Sequence, residues 1–176
     1  MRVVAGVHGG RELVAPTGRE TRPTSDRVRE ALFSILADVR GARVLDLFAG
    51  SGALAIEALS RGAAQATLVD PSGPAIEAIR RNLTRLGIEA EVHRLTAAGW
   101  LERARHNARQ YDLVFIDPPY RRAGALGREL TTTLTPVLAA DARVIAESDR
   151  RSPLELGLRL LDERRYGDTL IHIYGS

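Results

Sequence analysis

Residues 43–62 read Arg43-Val-Leu-Asp-Leu-Phe-Ala-Gly-Ser-Gly-Ala-Leu-Ala-Ile-Glu-Ala-Leu-Ser-Arg-Gly62, and this stretch decides the fold. Its first six residues form an apolar run that predicts a buried strand, and residues 53–61 predict a helix that ends at Gly62. Between the two, Gly50 and Gly52 allow a sharp turn and a close approach of the backbone to a ligand. Strand, glycine loop and helix in this order are typical of α/β folds that bind nucleotides.

The alternation of short apolar runs with helical periodicity continues along the chain. Strands are predicted at residues 65–70, 90–93, 111–116 and 142–146, and helices at 73–86, 97–108 and 124–138. Two last strands, 158–166 and 169–174, flank Gly167-Asp168, a two-residue loop that favours a hairpin. We therefore predict a Rossmann-like α/β fold with a seven-stranded, mostly parallel sheet and helices on both faces.

The first residues differ from this pattern. Residues 2–5 and 11–14 bracket three glycines and predict an N-terminal β-hairpin, and a polar segment then leads to Thr24-Ser-Asp26, which can cap a helix. We expect a hairpin and arm over residues 1–24 and a main domain over residues 25–176, which together form a single compact domain.

Composition excludes several classes of chemistry. The 176 residues contain no cysteine, and all 25 basic residues are arginine, so thiolate nucleophiles, Schiff-base lysines and P-loop lysines are excluded. A pI near 9.9 favours a polyanionic partner, because guanidinium groups bind phosphate with paired N–H donors. No apolar stretch has the length of a membrane span and no signal-peptide pattern is present, so we expect a cytoplasmic protein.

The glycine loop favours a cationic ligand over a pyrophosphate. Ala55 stands where the dinucleotide motif G-x-G-x-x-G has its third glycine, and the carboxylate of Asp46 precedes the turn. A sulfonium or an ammonium group is attracted by that carboxylate. Asp70 ends the next predicted strand, where an acid can accept hydrogen bonds from ribose hydroxyls.

A second motif, Asp117-Pro-Pro-Tyr120, follows the strand at residues 111–116. The prolines fix φ and donate no N–H, so the carbonyl of Pro118 is expected to point outward. This carbonyl and the carboxylate of Asp117 can both accept hydrogen bonds from one exocyclic amine, and Tyr120 can stack on the ring that carries the amine. In the strand order 3-2-1-4-5 this motif faces the glycine loop across one crevice.

These residues resemble the class I methyltransferases that use S-adenosylmethionine, and nearly the whole chain resembles the bacterial family that methylates N2 of a guanine in small-subunit (16S) ribosomal RNA. The most family-specific part is Thr21-Arg-Pro-Thr-Ser-Asp-Arg-Val-Arg-Glu-Ala-Leu-Phe33. The resemblance also covers residues 2–6, 10–13, 45–54, 57–62, 117–120 and 166–169.

The resemblance implies S-adenosylmethionine as cofactor and assigns roles residue by residue. The predicted cofactor-binding residues are Asp46, Phe48, Ala49, Gly50, Ser51, Gly52, Asp70, Pro71, Thr96 and Ala97, the last pair at the adenine position. The predicted catalytic residues are Asp117, Pro118 and Tyr120. RNA-binding residues are predicted at Arg22, Thr24, Arg27, Pro119, Arg121 and Arg122.

The expected partner is 16S ribosomal RNA or an assembling small subunit, and we expect a monomer with no metal and no membrane contact. The four histidines show no metal-ligand spacing. Three other readings stay open on the motifs alone. They are a DNA adenine or cytosine (or protein glutamine) amino-methyltransferase, a catalytically silent RNA-binding protein, and an NAD-dependent oxidoreductase, which the incomplete glycine motif disfavours.

Overall fold

The computed structural model describes residues 1–17, 25–36, 38–118 and 123–176, with the backbone alone for residues 123–126. The strands of its sheet are β1 (Arg43–Leu47), β2 (Gln65–Val69), β3 (Glu91–His93), β4 (Tyr111–Ile116), β5 (Leu138–Asp149), β6 (Arg159–Tyr166) and β7 (Thr169–Gly175). The helices are α1 (Asp26–Leu36), α2 (Ala53–Ser60), α3 (Gly73–Leu86), α4 (Ala97–His106) and α5 (Ala123–Leu134).

The seven strands lie in the order β3-β2-β1-β4-β5-β7-β6. The first five in this order pair in parallel, and β7 pairs antiparallel with both β5 and β6. The predicted Rossmann-like fold with a mostly parallel sheet is therefore confirmed, as is the closing hairpin, where Gly167 has a φ of 62°.

Both faces of the sheet are covered by helices. One core cluster packs α1, α2 and α3 against strand residues such as Phe115, and the other packs α4 and α5 against residues such as Val114. Successive side chains of a strand point to opposite faces, so central strands covered on both sides are apolar throughout. This explains the uninterrupted apolar runs in the sequence.

The N-terminal residues form a small hairpin that is bound to α2. Arg2 and Glu12 form an antiparallel bridge, and Val3 and Leu13 are buried. The buried carboxylate of Glu57 on α2 accepts hydrogen bonds from the backbone N–H groups of Val4 (2.6 Å) and Ala5 (3.0 Å). The hairpin is thus held by polar contacts as well as by apolar packing.

Two predicted boundaries are wrong. The helix predicted at 124–138 ends at Leu134 and is followed by a short 3-10 helix, Thr135–Val137, because Pro136 has no N–H to continue the α-helical pattern. The last parallel strand extends over Leu138–Asp149, well beyond the predicted 142–146. Its additional residues pair with the start of β4, where Leu138 is paired with Tyr111, and with β7.

None of the helices in the part of the chain that the structure describes has the length and hydrophobicity needed to cross a membrane.

Candidate active site

The carboxyl ends of β1 and β4 lie side by side, as the strand order requires. Leu47 of β1 is paired with Ile116 of β4, so the loop after β1 and Asp117-Pro118 leave the sheet next to each other. The predicted juxtaposition of the glycine loop with Asp117 is therefore present. In open α/β sheets, ligands bind at this edge, where the connections from neighbouring strands diverge.

The loop after β1 has three residues with positive φ: Phe48 (64°), Gly50 (57°) and Gly52 (78°). A Cβ atom on Gly52 would lie 2.8 Å from the Cδ2 atom of Leu68, so a side chain here would crowd Leu68 and would also be strained by the positive φ. A Cβ atom on Gly50 would have no neighbour closer than 3.9 Å. Gly52 therefore closes the loop onto the sheet, and Gly50 leaves space above the backbone for a ligand.

Phe48, by contrast, is a non-glycine residue in the left-handed region, which costs on the order of 1 kcal/mol. Such strain is common where a loop is shaped for a ligand. The neighbouring Ala49 donates its N–H to the carbonyl of Val69 at 3.1 Å, which extends the pairing of β1 with β2 into the loop.

Asp70 joins this loop to the connection between β2 and α3. Its carboxylate accepts hydrogen bonds from the N–H of Gly50 (3.0 Å) and from the N–H of Ser72 (2.8 Å), one on each oxygen. Each carboxylate oxygen can accept a further hydrogen bond. The ribose contact assigned to Asp70 stays a prediction, and in the structure the same carboxylate also fixes the shape of the glycine loop.

Asp46 is buried beneath the loop, with 2% of its surface exposed. Its burial raises the pKa of the carboxyl to about 7, the hydrogen bond from the N–H of Ala55 opposes this shift, and the charge of Asp70 adds to it. A carboxylate in such surroundings is stabilised by a nearby positive charge. The position therefore suits a cationic ligand, as the sequence predicted.

A second buried acid, Glu147, accompanies Asp117. Ile116 of β4 is paired with Ala146 of β5, so Asp117 and Glu147 follow at adjacent positions of neighbouring parallel strands. Burial raises the pKa of Asp117 well above its ordinary value, and the charges of Glu147 and Asp46 raise it further. Pro118 is buried beside it.

Glu147 was missed in the sequence because the predicted strand ended one residue before it. The available signal was the spacing of Glu147 from Arg143 and Ile145, because alternate residues of a strand lie on one face and β5 could therefore continue to Glu147.

Asn82 of α3 was also missed, although it connects three segments near the site. It is fully buried; its Oδ1 accepts from the N–H of Val14 at 2.8 Å, and its Nδ2 donates to the carbonyls of Val14 (3.0 Å) and Ser51 (2.9 Å). The N-terminal hairpin, α3 and the glycine loop are therefore held together by one side chain. No local sequence pattern indicates a contact between residues so far apart.

The predicted adenine position has a structural role of its own. The Oγ1 atom of Thr96 accepts a hydrogen bond from the N–H of Gly99 at 3.1 Å, which caps α4, and Ala97 is buried. Pro71 is exposed, and its carbonyl accepts from Arg94 at 3.4 Å. The contacts of Thr96, Ala97 and Pro71 with a cofactor stay predictions.

Several predicted site residues lie outside the described part of the chain: Arg22, Thr24, Pro119, Tyr120, Arg121 and Arg122. Arg27 is exposed on the first turn of α1. Within the described ranges, no three His, Asp or Glu side chains are placed to hold a metal ion.

Comparisons with known proteins agree with this geometry. Residues 1–175 match the family model described as conserved hypothetical protein 95. The chain is 38% identical to the Bacillus subtilis protein named putative rRNA methyltransferase YlbH, over 99% of this chain and 98% of that protein. It is 42% identical to ribosomal RNA small subunit methyltransferase D of Escherichia coli, over 69% of this chain and 61% of that protein.

A solved structure, the putative methyltransferase yhhF from Escherichia coli, superposes with a TM-score of 0.84 at 35% identity and covers 99% of this chain and 97% of that one. A family model that spans the chain, relatives aligned over most of their length and a shared fold all agree, so the chain belongs to the conserved hypothetical protein 95 family and is a methyltransferase of that family.

Proposed function

We propose that this protein transfers a methyl group from S-adenosylmethionine to the exocyclic N2 amine of a guanine in small-subunit (16S) ribosomal RNA. The observation that carries the proposal is the adjacency of two sites at the carboxyl edge of the sheet. A loop suited to a cationic ligand follows β1, and a hydrogen-bond acceptor for an amine, Asp117, follows the neighbouring β4.

The residues after β1 and β2 fit the cofactor. S-adenosylmethionine supplies an electrophilic methyl group on a positively charged sulfur. The carboxylate of Asp46 would favour that positive charge, and the open space at Gly50 would admit the ligand close to the backbone. Asp70, whose oxygens each have a free acceptor position, would accept hydrogen bonds from the ribose hydroxyls.

Asp117 and Pro118 would bind and orient the amine of the target base. When ionised, Asp117 accepts a hydrogen bond from one N–H of the amine, and the Pro118 carbonyl accepts one from the other. Both contacts would favour a pyramidal nitrogen and direct its lone pair toward the methyl carbon, so most of the rate would come from positioning and electrostatics. As the C–N bond forms, the bond from the methyl carbon to sulfur would break and leave a neutral thioether, and the proton would pass from the nitrogen to solvent once positive charge has developed there.

The choice of RNA as substrate rests on chemistry and on the names of the relatives. Bases of structured RNA are recognised most easily when they are unstacked, and Tyr120 would provide an aromatic surface for such a base. Arg22, Thr24, Arg27, Pro119, Arg121 and Arg122 are the proposed contacts to the RNA. The relatives in Bacillus subtilis and Escherichia coli are named as ribosomal RNA methyltransferases.

The test is transfer of a labelled methyl group to defined substrates. Purified protein would be incubated with labelled S-adenosylmethionine and either naked 16S RNA, partially assembled small subunits or complete subunits, and the modified base would be mapped. We expect label on N2 of one guanine, in the assembling particle if the target depends on the folded RNA. Label on DNA adenine or cytosine, or on a protein glutamine, with none on the RNA, would overturn the proposal.

A further inference from the structure

The outer face of α3 is lined by arginines whose charge is not neutralised. Arg80, Arg81 and Arg85 are exposed, and none of them forms an ion pair with a described residue. We propose that this face of α3 binds the phosphate backbone of the RNA substrate. The inference rests on the proposed function and extends it to a surface distant from the reacting atoms.

Several arginines elsewhere on the surface are, by contrast, paired with acids. Arg43 forms a bidentate ion pair with Asp112, Arg109 contacts Glu91 at 2.7 Å, and Arg165 contacts Glu163 at 2.7 Å. An external anion is therefore better accommodated on α3 than at these sites, where it would first have to displace a carboxylate.

The arrangement of the arginines on α3 disfavours the helix when no anion is bound to them. Arg81 and Arg85 are four residues apart, so they are neighbours on the helix surface, and like charges at this spacing destabilise a helix. Glu77 lies four residues before Arg81, a spacing that favours an ion pair, yet the structure has no ion pair between them. The helix dipole favours Arg85 in the last turn but not Arg80 or Arg81 in the middle.

The position of α3 connects this face to the proposed RNA contacts. Asn82 lies one residue after Arg81 and holds Val14 by two hydrogen bonds. The chain continues from Val14 into the segment that contains Arg22 and Thr24. Because α3 begins three residues after Asp70, RNA bound next to the cofactor loop can continue along α3.

Phosphate is the chemistry that such a face recognises. A guanidinium group presents paired N–H donors that match two phosphate oxygens, and several of them along one helix follow a backbone without reading its sequence. The contact would therefore strengthen binding of the large RNA substrate and would leave the choice of the methylated base to the residues near Asp117.

The experiment compares two pairs of substitutions that remove the same charge. The test variant is Arg81→Gln/Arg85→Gln on α3. The control is Arg103→Gln/Arg105→Gln on α4, where both arginines are also exposed in or near the last turn, have no ion-pair partner among the described residues, and lie on the opposite face of the sheet. Binding of 16S RNA and of assembling subunits is measured over a range of salt concentrations, together with kcat, KM and the Kd for S-adenosylmethionine.

We expect the α3 variant to raise KM for the assembling subunit about tenfold and to lower the slope of log K against log salt by about 1.4, which corresponds to two lost phosphate contacts on single-stranded RNA. Its kcat and its Kd for S-adenosylmethionine should match the wild type, and its melting temperature should be no lower, because the repulsion between Arg81 and Arg85 is removed. Adding Arg80→Gln should lower the salt slope by a further step. The α4 control should leave the salt slope unchanged.

Equal losses in both variants would mean a general effect of net charge and would overturn the inference. Normal binding by the α3 variant would overturn it as well, and so would a loss of methylation with an unchanged salt slope, which points to a protein partner. Failure of the proposed function would look different: wild-type protein would bind the RNA without methylating it, and the salt slopes would still decide the role of α3.

Discussion

The two ends of the central sheet use the same residue type in opposite ways. At the amino end, Asp112 of β4 is met by Arg43 of β1 in a bidentate ion pair, and this pair lowers the pKa of Asp112. At the carboxyl end, Asp117 leaves the same strand beside Glu147 and near Asp46, and burial and these acids raise its pKa. Asp112 and Asp117 are only five residues apart, yet Asp112 lies in a stabilising ion pair and Asp117 lies in surroundings that disfavour its charge.

The difference shows where the protein gives up stability for activity. A carboxylate paired with arginine favours the folded state, whereas buried carboxyls with raised pKa values disfavour it unless a ligand supplies compensating contacts. Perturbed acids of this kind cluster at functional sites. The carboxyl end should therefore respond to mutation mainly in activity and ligand binding, and the amino end mainly in stability.

The largest effect is expected for Asp117. Asp117→Asn keeps the size of the side chain but replaces a charged acceptor by an amide, and we expect kcat to fall by about 10³-fold, since a lost preorganised hydrogen bond to a reacting group costs 10²–10³. The Kd for S-adenosylmethionine should change little, because the cofactor residues are left intact. Asp112→Asn, on the same strand, is the matched control and should keep full kcat. Normal turnover of Asp117→Asn would remove Asp117 from the mechanism.

Asp46 should make the cofactor-free protein less stable as the pH rises. The ordinary pKa of the carboxyl is 3.8 and the folded value is about 7, so between these values the folded protein binds more protons than the unfolded chain. Stability therefore falls from pH 4 to pH 7 and stays low above it, by up to about 4 kcal/mol from this group. Asp46→Asn, which retains an acceptor for the N–H of Ala55, should remove the part of this decline that comes from Asp46.

Urea unfolding at pH 5, 6.5 and 8 measures the effect. At pH 8 the Asp46→Asn protein without cofactor should be the more stable one, and its affinity for S-adenosylmethionine should be lower at the same pH. A variant that is less stable than the wild type at pH 8 would mean that the ionised carboxylate of Asp46 is favourably solvated in the folded protein, which would contradict the prediction.

At the carboxyl end of the sheet, the sequence predicted the features that local sequence patterns determine. Apolar runs gave the strands, Gly50 and Gly52 marked the loop, and the strand order brought Asp117 next to that loop. The reason is that strand and helix periodicities are local, and the rules of parallel sheets then leave few topologies. Family membership, predicted from the motifs, is confirmed by the family model that matches residues 1–175.

Contacts between distant segments could not be predicted in this way. Asn82 reads as an ordinary polar residue of a helix, and its three hydrogen bonds to Val14 and Ser51 exist only after the hairpin has packed. Glu147 was missed because a charged residue after an apolar run looks like the end of a strand. The pairing of Arg43 with Asp112 likewise depends on which strands become neighbours.

A smaller effect is expected for Glu147, which tests whether the acids of the carboxyl end act on each other. Glu147→Gln removes a negative charge beside Asp117 and should lower the pKa of Asp117, with Asp46 still opposing. Since the ionised form of Asp117 is the acceptor for the amine, activity is lost as the pH falls through that pKa. The acid limb of the kcat profile should therefore shift to lower pH. An acid limb that does not move would mean that the charge of Glu147 does not affect the pKa of Asp117.

The smallest effect is expected at the amino end, in the pair of Arg43 and Asp112. Both side chains are more than a third exposed (39% and 37%), so solvent screening limits the coupling between them to about 1 kcal/mol despite the short contacts. A double-mutant cycle with Arg43→Gln and Asp112→Asn, followed by urea unfolding at low and high salt, measures this coupling. Because the pair lowers the pKa of Asp112, its contribution should be present at neutral pH and disappear as the solution is acidified below pH 4.

Methyl transfer should be unaffected in all three variants. A large fall in kcat here would contradict the division of the sheet into a stabilising end and a catalytic end, because it would show that the ion pair is needed to hold β1 and β4 in the register that joins the two halves of the site.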